Sequence, residues 1–224
     1  MAVLVLRLAG PLQAWGTGIK LNDHPTDTMP SKSGVVGMVA AAMGRKRNED
    51  FSDLAGLRFG VRADRPGTIA RDYHTAHIWE TDKKGRPVAG KGTYTGKRDY
   101  IQDACFTAGL EGDSHLLEQC KEALDRPVYP PYLGRRSCIP DAGVVIGIFD
   151  GSLEDVFSAL PLQSIVPFCD GREKQSEGTC HLRVCVESTV EADRMRQDNP
   201  LSFDFHNRQY AHRREKEFYV TVPK

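Results

Sequence analysis

The sequence has no surplus of charge of either sign: thirty lysines and arginines balance thirty aspartates and glutamates over 224 residues. A freestanding, non-specific polyanion binder would be basic overall, so any nucleic-acid contact must come from local patches. Cys-x-x-Cys pairs are absent. The six cysteines are Cys105, Cys120, Cys138, Cys169, Cys180 and Cys185, and several lie in apolar runs such as Ala104-Cys105-Phe106 and Val184-Cys185-Val186. Buried free thiols in a reducing cytoplasm are therefore expected. Cys180, His181 and Cys185 fit no common zinc spacing, and neither a metal nor a cofactor is expected. No apolar run is long enough to span a bilayer, and the opening Met1-Ala2-Val3-Leu4-Val5-Leu6-Arg7 lacks a basic leader. There is no complete Walker A run and no Gly-x-Gly-x-x-Gly after a strand, so nucleotide hydrolysis is unsupported. The acidic pairs Glu49-Asp50 and Glu154-Asp155 have no partner site of the kind that two-metal chemistry needs.

What is present begins with hydrophobic periodicity. Val3 to Leu8 is short, β-branched and apolar and predicts a buried strand; Gly10-Pro11 ends it. Residues 11 to 30 are punctuated by Pro and Gly and read as irregular. Ser31 or Ser33 can cap a helix that Gly44 stops, apolar almost all round and so packed on a sheet. Leu57 to Ala63, Cys105 to Leu110 and Val144 to Phe149 read as strands, and Ser114 to Leu124 as a helix with Ser114 as a possible cap. Between the second and third strands, residues 75 to 102 carry Gly85, Gly90, Gly92 and Gly96 among Lys83, Lys84, Arg86, Lys91, Lys97 and Arg98. A basic excursion of that length inside a domain is usually functional or disordered.

The resulting order is β-α-β-β-α-β, that of an α+β, ferredoxin-like (RRM-related) domain over residues 1–150, with the central hairpin extended at 75–102. Residues 151–224 read as a small β-rich extension with strands at Ser164–Val166, His181–Glu187 and Phe218–Val222. The mixed charges Arg213, Arg214, Glu215 and Glu217 read as a solvated face.

Arginine forks and aromatic faces are what single-stranded RNA recognition uses. The run Tyr132-Leu133-Gly134-Arg135-Arg136-Ser137-Cys138 supplies both, with a glycine that allows close backbone approach. Ser31, Lys32 and Ser33 stand at a predicted helix N-terminus, where orphan N–H groups suit a phosphate. Arg71, Tyr73 and His74 lie at the base of the excursion, and Lys97 and Arg98 would line it beside Lys83, Lys84 and Lys91. Trp15, in a glycine-bounded loop, is read as core.

Four segments, in order, resemble the CasD family of type I-E CRISPR Cascade subunits, within the repeat-associated RNA-binding superfamily. They are Leu6-Arg7-Leu8-Ala9-Gly10-Pro11-Leu12-Gln13-Ala14-Trp15-Gly16, Pro30-Ser31-Lys32-Ser33-Gly34-Val35-Val36-Gly37, Arg71-Asp72-Tyr73-His74-Thr75 and Pro131-Tyr132-Leu133-Gly134-Arg135-Arg136-Ser137-Cys138. The resemblance implies a β-hairpin "thumb" and a non-catalytic role in antiviral defence: holding the five-prime handle of a CRISPR RNA at one end of the ribonucleoprotein complex. Its implied protein partners are the Cascade backbone subunit and the large subunit that reads the PAM. Target DNA is met through the assembled complex, where guide pairing reads the sequence. The alternative is a metal-independent endoribonuclease acting on CRISPR precursor RNA. Tyr73, His74, His77 and Lys97 supply the residue types for that chemistry, without a specific catalytic pattern.

Overall fold

The computed structural model describes residues 1–16, 23–141, 143–163 and 178–223. The strand expected at Ser164–Val166 and Cys169 lie outside the described residues. The first strand, β1 (Ala2–Ala9), shows why its sequence is a continuous apolar run rather than an alternation. Leu4, Leu6 and Leu8 enter one hydrophobic cluster, while Val3 and Val5 enter another on the opposite face. Successive side chains of a strand point to opposite faces, so a strand with both faces covered must be apolar at every position.

Two short strands, β2 (Leu12–Gln13) and β3 (Asp23–His24), precede α1 (Lys32–Ala42) and the single turn α2 (Ser52–Ala55). Ser31 caps α1 by accepting the Gly34 N–H, and Gly44, at φ +77°, takes the left-handed conformation after the C-cap Met43. Next come β4 (Arg58–Arg65), the long pair β5 (Thr68–Thr81) and β6 (Pro87–Gln102), then β7 (Cys105–Gly112) and α3 (Ser114–Asp125). The cap of α3 is Asp113, one residue before the expected Ser114; its carboxylate accepts the Leu116 N–H at 3.1 Å. β8 (Val145–Asp150) leads into α4 (Leu153–Ala159), a helix the sequence reading missed although Ser152 and Asp155 form a capping box. The chain ends with β9 (Thr179–Glu187), β10 (Arg194–Ser202) and β11 (Gln209–Pro223).

Among the described residues, seven strands form one antiparallel sheet in the order β10-β11-β9-β4-β7-β1-β8. α1 connects β1 to β4 and α3 connects β7 to β8. Residues of α1 and α3 share a cluster with Leu4, Phe59, Phe106 and Leu110, whereas Val156 and Phe157 of α4 pack on Val3, Val5, Val184 and Val186. The sheet crosses the boundary expected at residue 150. Gly60 to Ala63 of β4 pair with Arg183 to Val186 of β9, so the C-terminal strands continue the central sheet.

The excursion expected over residues 75–102 lies within a hairpin that starts earlier, at Thr68. Gly90, Gly92 and Gly96 stand in β6, between strand ends that meet at Thr68↔Gln102 and Thr81↔Pro87. At about 3.3 Å per residue, fourteen residues reach roughly 45 Å. Asp82 organises the turn by accepting the N–H groups of Lys84 and Arg86, and Gly85 turns at φ +75°. At the base, β6 forms a second sheet with β2 and β3, pairing Asp23↔Lys97 and His24↔Arg98.

Candidate nucleic-acid interface

The junction between sheet and hairpin gathers residues far apart in sequence. Gln13 is fully buried and donates to the carbonyls of Leu8 and Ala104, both at 2.9 Å. Its own side-chain oxygen accepts the Trp15 indole N–H at 2.9 Å. The Trp15 ring is buried against Gly34, where an added Cβ would lie 2.8 Å from a ring carbon. Gly134 closes the other side: at φ +83°, an added Cβ there would sit 1.7 Å from the Ala14 carbonyl oxygen. The glycine of the Gly-Arg-Arg run therefore brings its loop against the chain itself.

Arg135 follows from that placement. Its guanidinium lies 4.8 Å from the centre of the Tyr100 ring and donates to the carbonyls of Asp99 at 3.1 Å and His24 at 2.7 Å. It thereby ties the loop to β6 and β3 at the hairpin base, as a brace with both terminal nitrogens bonded within the chain. Arg136, next to it, is exposed. The two arginines thus divide: one holds the base and one faces solvent.

Strand register sorts the hairpin residues by face. Arg71↔Asp99 and Tyr73↔Lys97 are directly opposed pairs two residues apart, so all four side chains share one face. Asp72↔Arg98 and His74↔Gly96 occupy the other. The expected RNA set is therefore split. Arg71, Tyr73 and Lys97 share one face, whereas Arg98 and His74 lie on the other. Arg71 is ion-paired with Asp99 at 2.7 and 3.1 Å, yet its side chain is 62% exposed. The hydrogen bond with Asp99 raises the Arg71 guanidinium pKa and holds the Asp99 carboxyl below its usual range. Tyr73 presents its ring to solvent at 60% exposure. His74 covers Gly96, where a Cβ would come within 2.7 Å of the imidazole, and its Nδ1 is 3.4 Å from Asp72. Lys83 and Lys84 stand at the turn, while the side chain of Lys91 lies outside the described residues.

One expected phosphate site is corrected. Lys32 is 1% exposed, and its Nζ donates to Glu187 at 2.9 Å. Its backbone N–H donates to the Asp198 carboxylate, also at 2.9 Å. The anion at the α1 N-terminus is thus an internal one, supplied by β10. Burial lowers the Lys32 pKa despite the charge and hydrogen bond of Glu187. Ser31 is buried as the cap, and the Ser33 hydroxyl is 3.4 Å from that of Ser31.

Asp198 belongs to an ionic cluster where a solvated face was expected. Arg213 is 4% exposed, Glu215 1% and Asp198 0%. Arg213 donates to both Asp198 oxygens, at 2.6 and 3.1 Å, and to Glu215 at 3.1 Å. Burial alone would raise the Asp198 pKa; the bonds and charge of Arg213, with Arg196 and the Lys32 N–H, hold it below its ordinary value. Among the described residues, no three His, Cys, Asp or Glu side chains are grouped as metal ligands, and no helix is long and apolar enough to cross a membrane.

A family model for CRISPR-associated proteins described as Cas5 matches residues 3–215. The chain belongs to the Cas5 family of CRISPR-associated proteins. Within that family it is 37% identical over 150 residues to the Escherichia coli (strain K12) protein named CRISPR system Cascade subunit CasD. That alignment covers 60% of this chain and 66% of the relative, just under two thirds of its length. Among solved structures, a chain of a CRISPR RNA-guided surveillance complex matches with a TM-score of 0.80 at 31% identity, covering 99% of this chain and 91% of that one. A structure described as a Cas protein matches with a TM-score of 0.72 at 33% identity, covering 99% and 98%.

Three side chains on this Cas5-family hairpin escaped the sequence reading: Trp79, 67% exposed, Ile78 at 49% and Tyr94 at 42%. An aromatic that stays exposed on a strand is a stacking candidate. The available signal was a tryptophan inside an otherwise polar, glycine-rich stretch.

Proposed function

We infer that the chain is a non-catalytic, CRISPR RNA-binding subunit of a Cascade-type complex that holds the five-prime handle of the guide and caps one end of the assembly. The observation that carries this reading is the exposed hairpin face of Arg71, Tyr73 and Lys97, where a ring for stacking stands beside two cations for phosphates. Arg136, exposed beside the braced base, adds a further cation. Arg98 and His74, on the reverse face, are available to a second strand of RNA or to a protein neighbour. The names of the relatives agree with membership of such a complex. Its protein neighbours in this reading are the backbone subunit and the PAM-reading large subunit, and target DNA is engaged through the assembled complex. The body is read as a ferredoxin-like domain, a reading supported by the strand order β4-β7-β1-β8 with α1 and α3 as crossovers. The hairpin is its thumb, and the C-terminal strands widen its sheet. Cleavage is not favoured, because His74 lies on the opposite face from Tyr73 and Lys97.

The test is RNA binding by the protein, alone and with its backbone-subunit partner. A repeat-derived handle is compared with a scrambled RNA of equal length, at fixed salt and in EDTA. Preference for the handle, with the RNA intact, is the expected result. Equal binding of both RNAs refutes handle recognition. Shortened RNA that persists in EDTA and disappears in His74→Ala refutes the non-catalytic assignment.

A further inference from the structure

We propose that Arg196 is a positioning residue for RNA binding: from β10 it clamps the segment of residues 23–30, which in turn sets the base of the hairpin. The proposal rests on the RNA-binding reading above. Arg196 is 12% exposed and spans two parts of the molecule. On the sheet side, its Nε is 3.6 Å from Asp198 and its Nη1 is 3.6 Å from Glu215. On the other side, Nη2 donates to the Asp27 carboxylate at 3.0 Å and to the Met29 carbonyl at 3.4 Å, and Nη1 donates to the Pro30 carbonyl at 3.4 Å. A planar fork with several fixed donors can hold three acceptors at once, which an ammonium on a flexible stem cannot do with the same geometry.

The clamped segment leads directly to the RNA face. Four residues before Asp27 stands Asp23, which pairs with Lys97, and the His24 carbonyl receives Arg135. The middle of the segment is fixed by Trp15, whose N–H donates to Thr26 Oγ1 at 2.8 Å and whose carbonyl accepts the Asp27 N–H at 3.3 Å. The segment does not pack flush against β10. A cavity of about 400 Å³ opens between Thr26–Met29 and Arg194–Gln197, and Arg196 bridges its two walls. Across that opening, Arg196 joins the segment through one ion pair and two carbonyl bonds, while the Met29 side chain anchors it in the core. The side chain has its donors turned inward, so its influence on RNA passes through residues 23–30 to Lys97 and Arg135.

The experiment uses the full chain with a fluorescein-labelled, repeat-derived RNA, and compares the wild type with Arg196→Ala, Arg196→Lys and Lys97→Ala. Affinity is measured over a salt series, and amide hydrogen exchange is followed without RNA. Arg196→Ala should weaken binding about tenfold, within the range for coupling through packed networks, at an unchanged salt slope. Exchange should rise over residues 23–30 and 95–100 while β1 and β4 stay protected. Arg196→Lys should recover part of the affinity, leaving a deficit of roughly threefold.

A salt slope reduced by about 0.7 in Arg196→Ala would mean that this side chain touches a phosphate itself, and would overturn the positioning role. Exchange raised equally in β1 and β4 would mean general destabilisation and would also overturn it. Unchanged affinity in Arg196→Ala, with a loss in Lys97→Ala, would sink the proposal and leave the RNA-binding reading standing. Failure of the wild type to bind would remove that reading and the proposal with it.

Discussion

Asp198→Asn is the substitution that most sharply tests the buried ionic cluster. The carboxylate is fully buried, supplies two of the three side-chain bonds from Arg213, and receives the Lys32 N–H at the start of α1. Removing one partner of a buried pair leaves the other charge uncompensated, at a cost of about 3–5 kcal/mol. Glu215 remains within 3.1 Å of Arg213 and softens that loss, so the lower end, about 3 kcal/mol, is expected. For a chain of this size, that corresponds to a fall in Tm of roughly 6–12 °C. Urea unfolding monitored by tryptophan fluorescence reads it directly, because Trp15 is buried in the same half of the molecule. The pH dependence has a definite sign. The folded pKa of Asp198 lies below its ordinary value, so its contribution is complete above the unfolded pKa and is lost as pH falls through the folded one. The gap between wild type and variant should therefore be constant near neutrality and close below about pH 4. A loss under about 1 kcal/mol at pH 7, or a gap that widens on acidification, would refute the assignment of a charged, stabilising Asp198.

Other substitutions separate structural from RNA-facing roles. Gly134→Ala forces a side chain into a left-handed backbone and against the Ala14 carbonyl, so a loss of at least about 3 kcal/mol is expected in thermal unfolding, with weakened RNA binding as Arg135 shifts. Tyr73→Ala should cost about 1–3 kcal/mol of RNA affinity if one base stacks on the ring, with no change in salt slope. Lys97→Ala should instead lower the slope of log K against log salt by about 0.7. Lys32→Met should leave that slope unchanged in the same titration, because Lys32 is spent on Glu187 inside the protein.

The sequence announced those elements whose signals are local. Ser31, one of two candidate caps, and Gly44 bracket α1, and the apolar run of β1 marked a strand covered on both faces. The α3 cap was read one residue late, because Ser114 follows Asp113 directly and both residue types suit the position. The hairpin was visible as an excursion, but its glycines pointed to a loop. Gly96 instead makes room for His74 across a regular ladder. The largest departure is at Lys32. A helix N-terminus with a lysine invites a phosphate, yet the anion that meets it comes from Asp198, 166 residues away, and no local pattern encodes that pairing. The same holds for Arg213 and Glu215. Alternating charges in a sequence read as solvated, and only the tertiary arrangement, with β10 beside β11 and packed against α1, turns them inward. For the hairpin, residue types marked the candidates, while register decided which of them share a face.

The most direct measurement is ultraviolet cross-linking of the protein to a repeat-derived guide RNA, followed by mass spectrometry of the adducts. Adducts on Tyr73, and on peptides containing Lys97 and Arg136, are the predicted result. Adducts confined to the C-terminal strands, with none on the hairpin, would contradict the account.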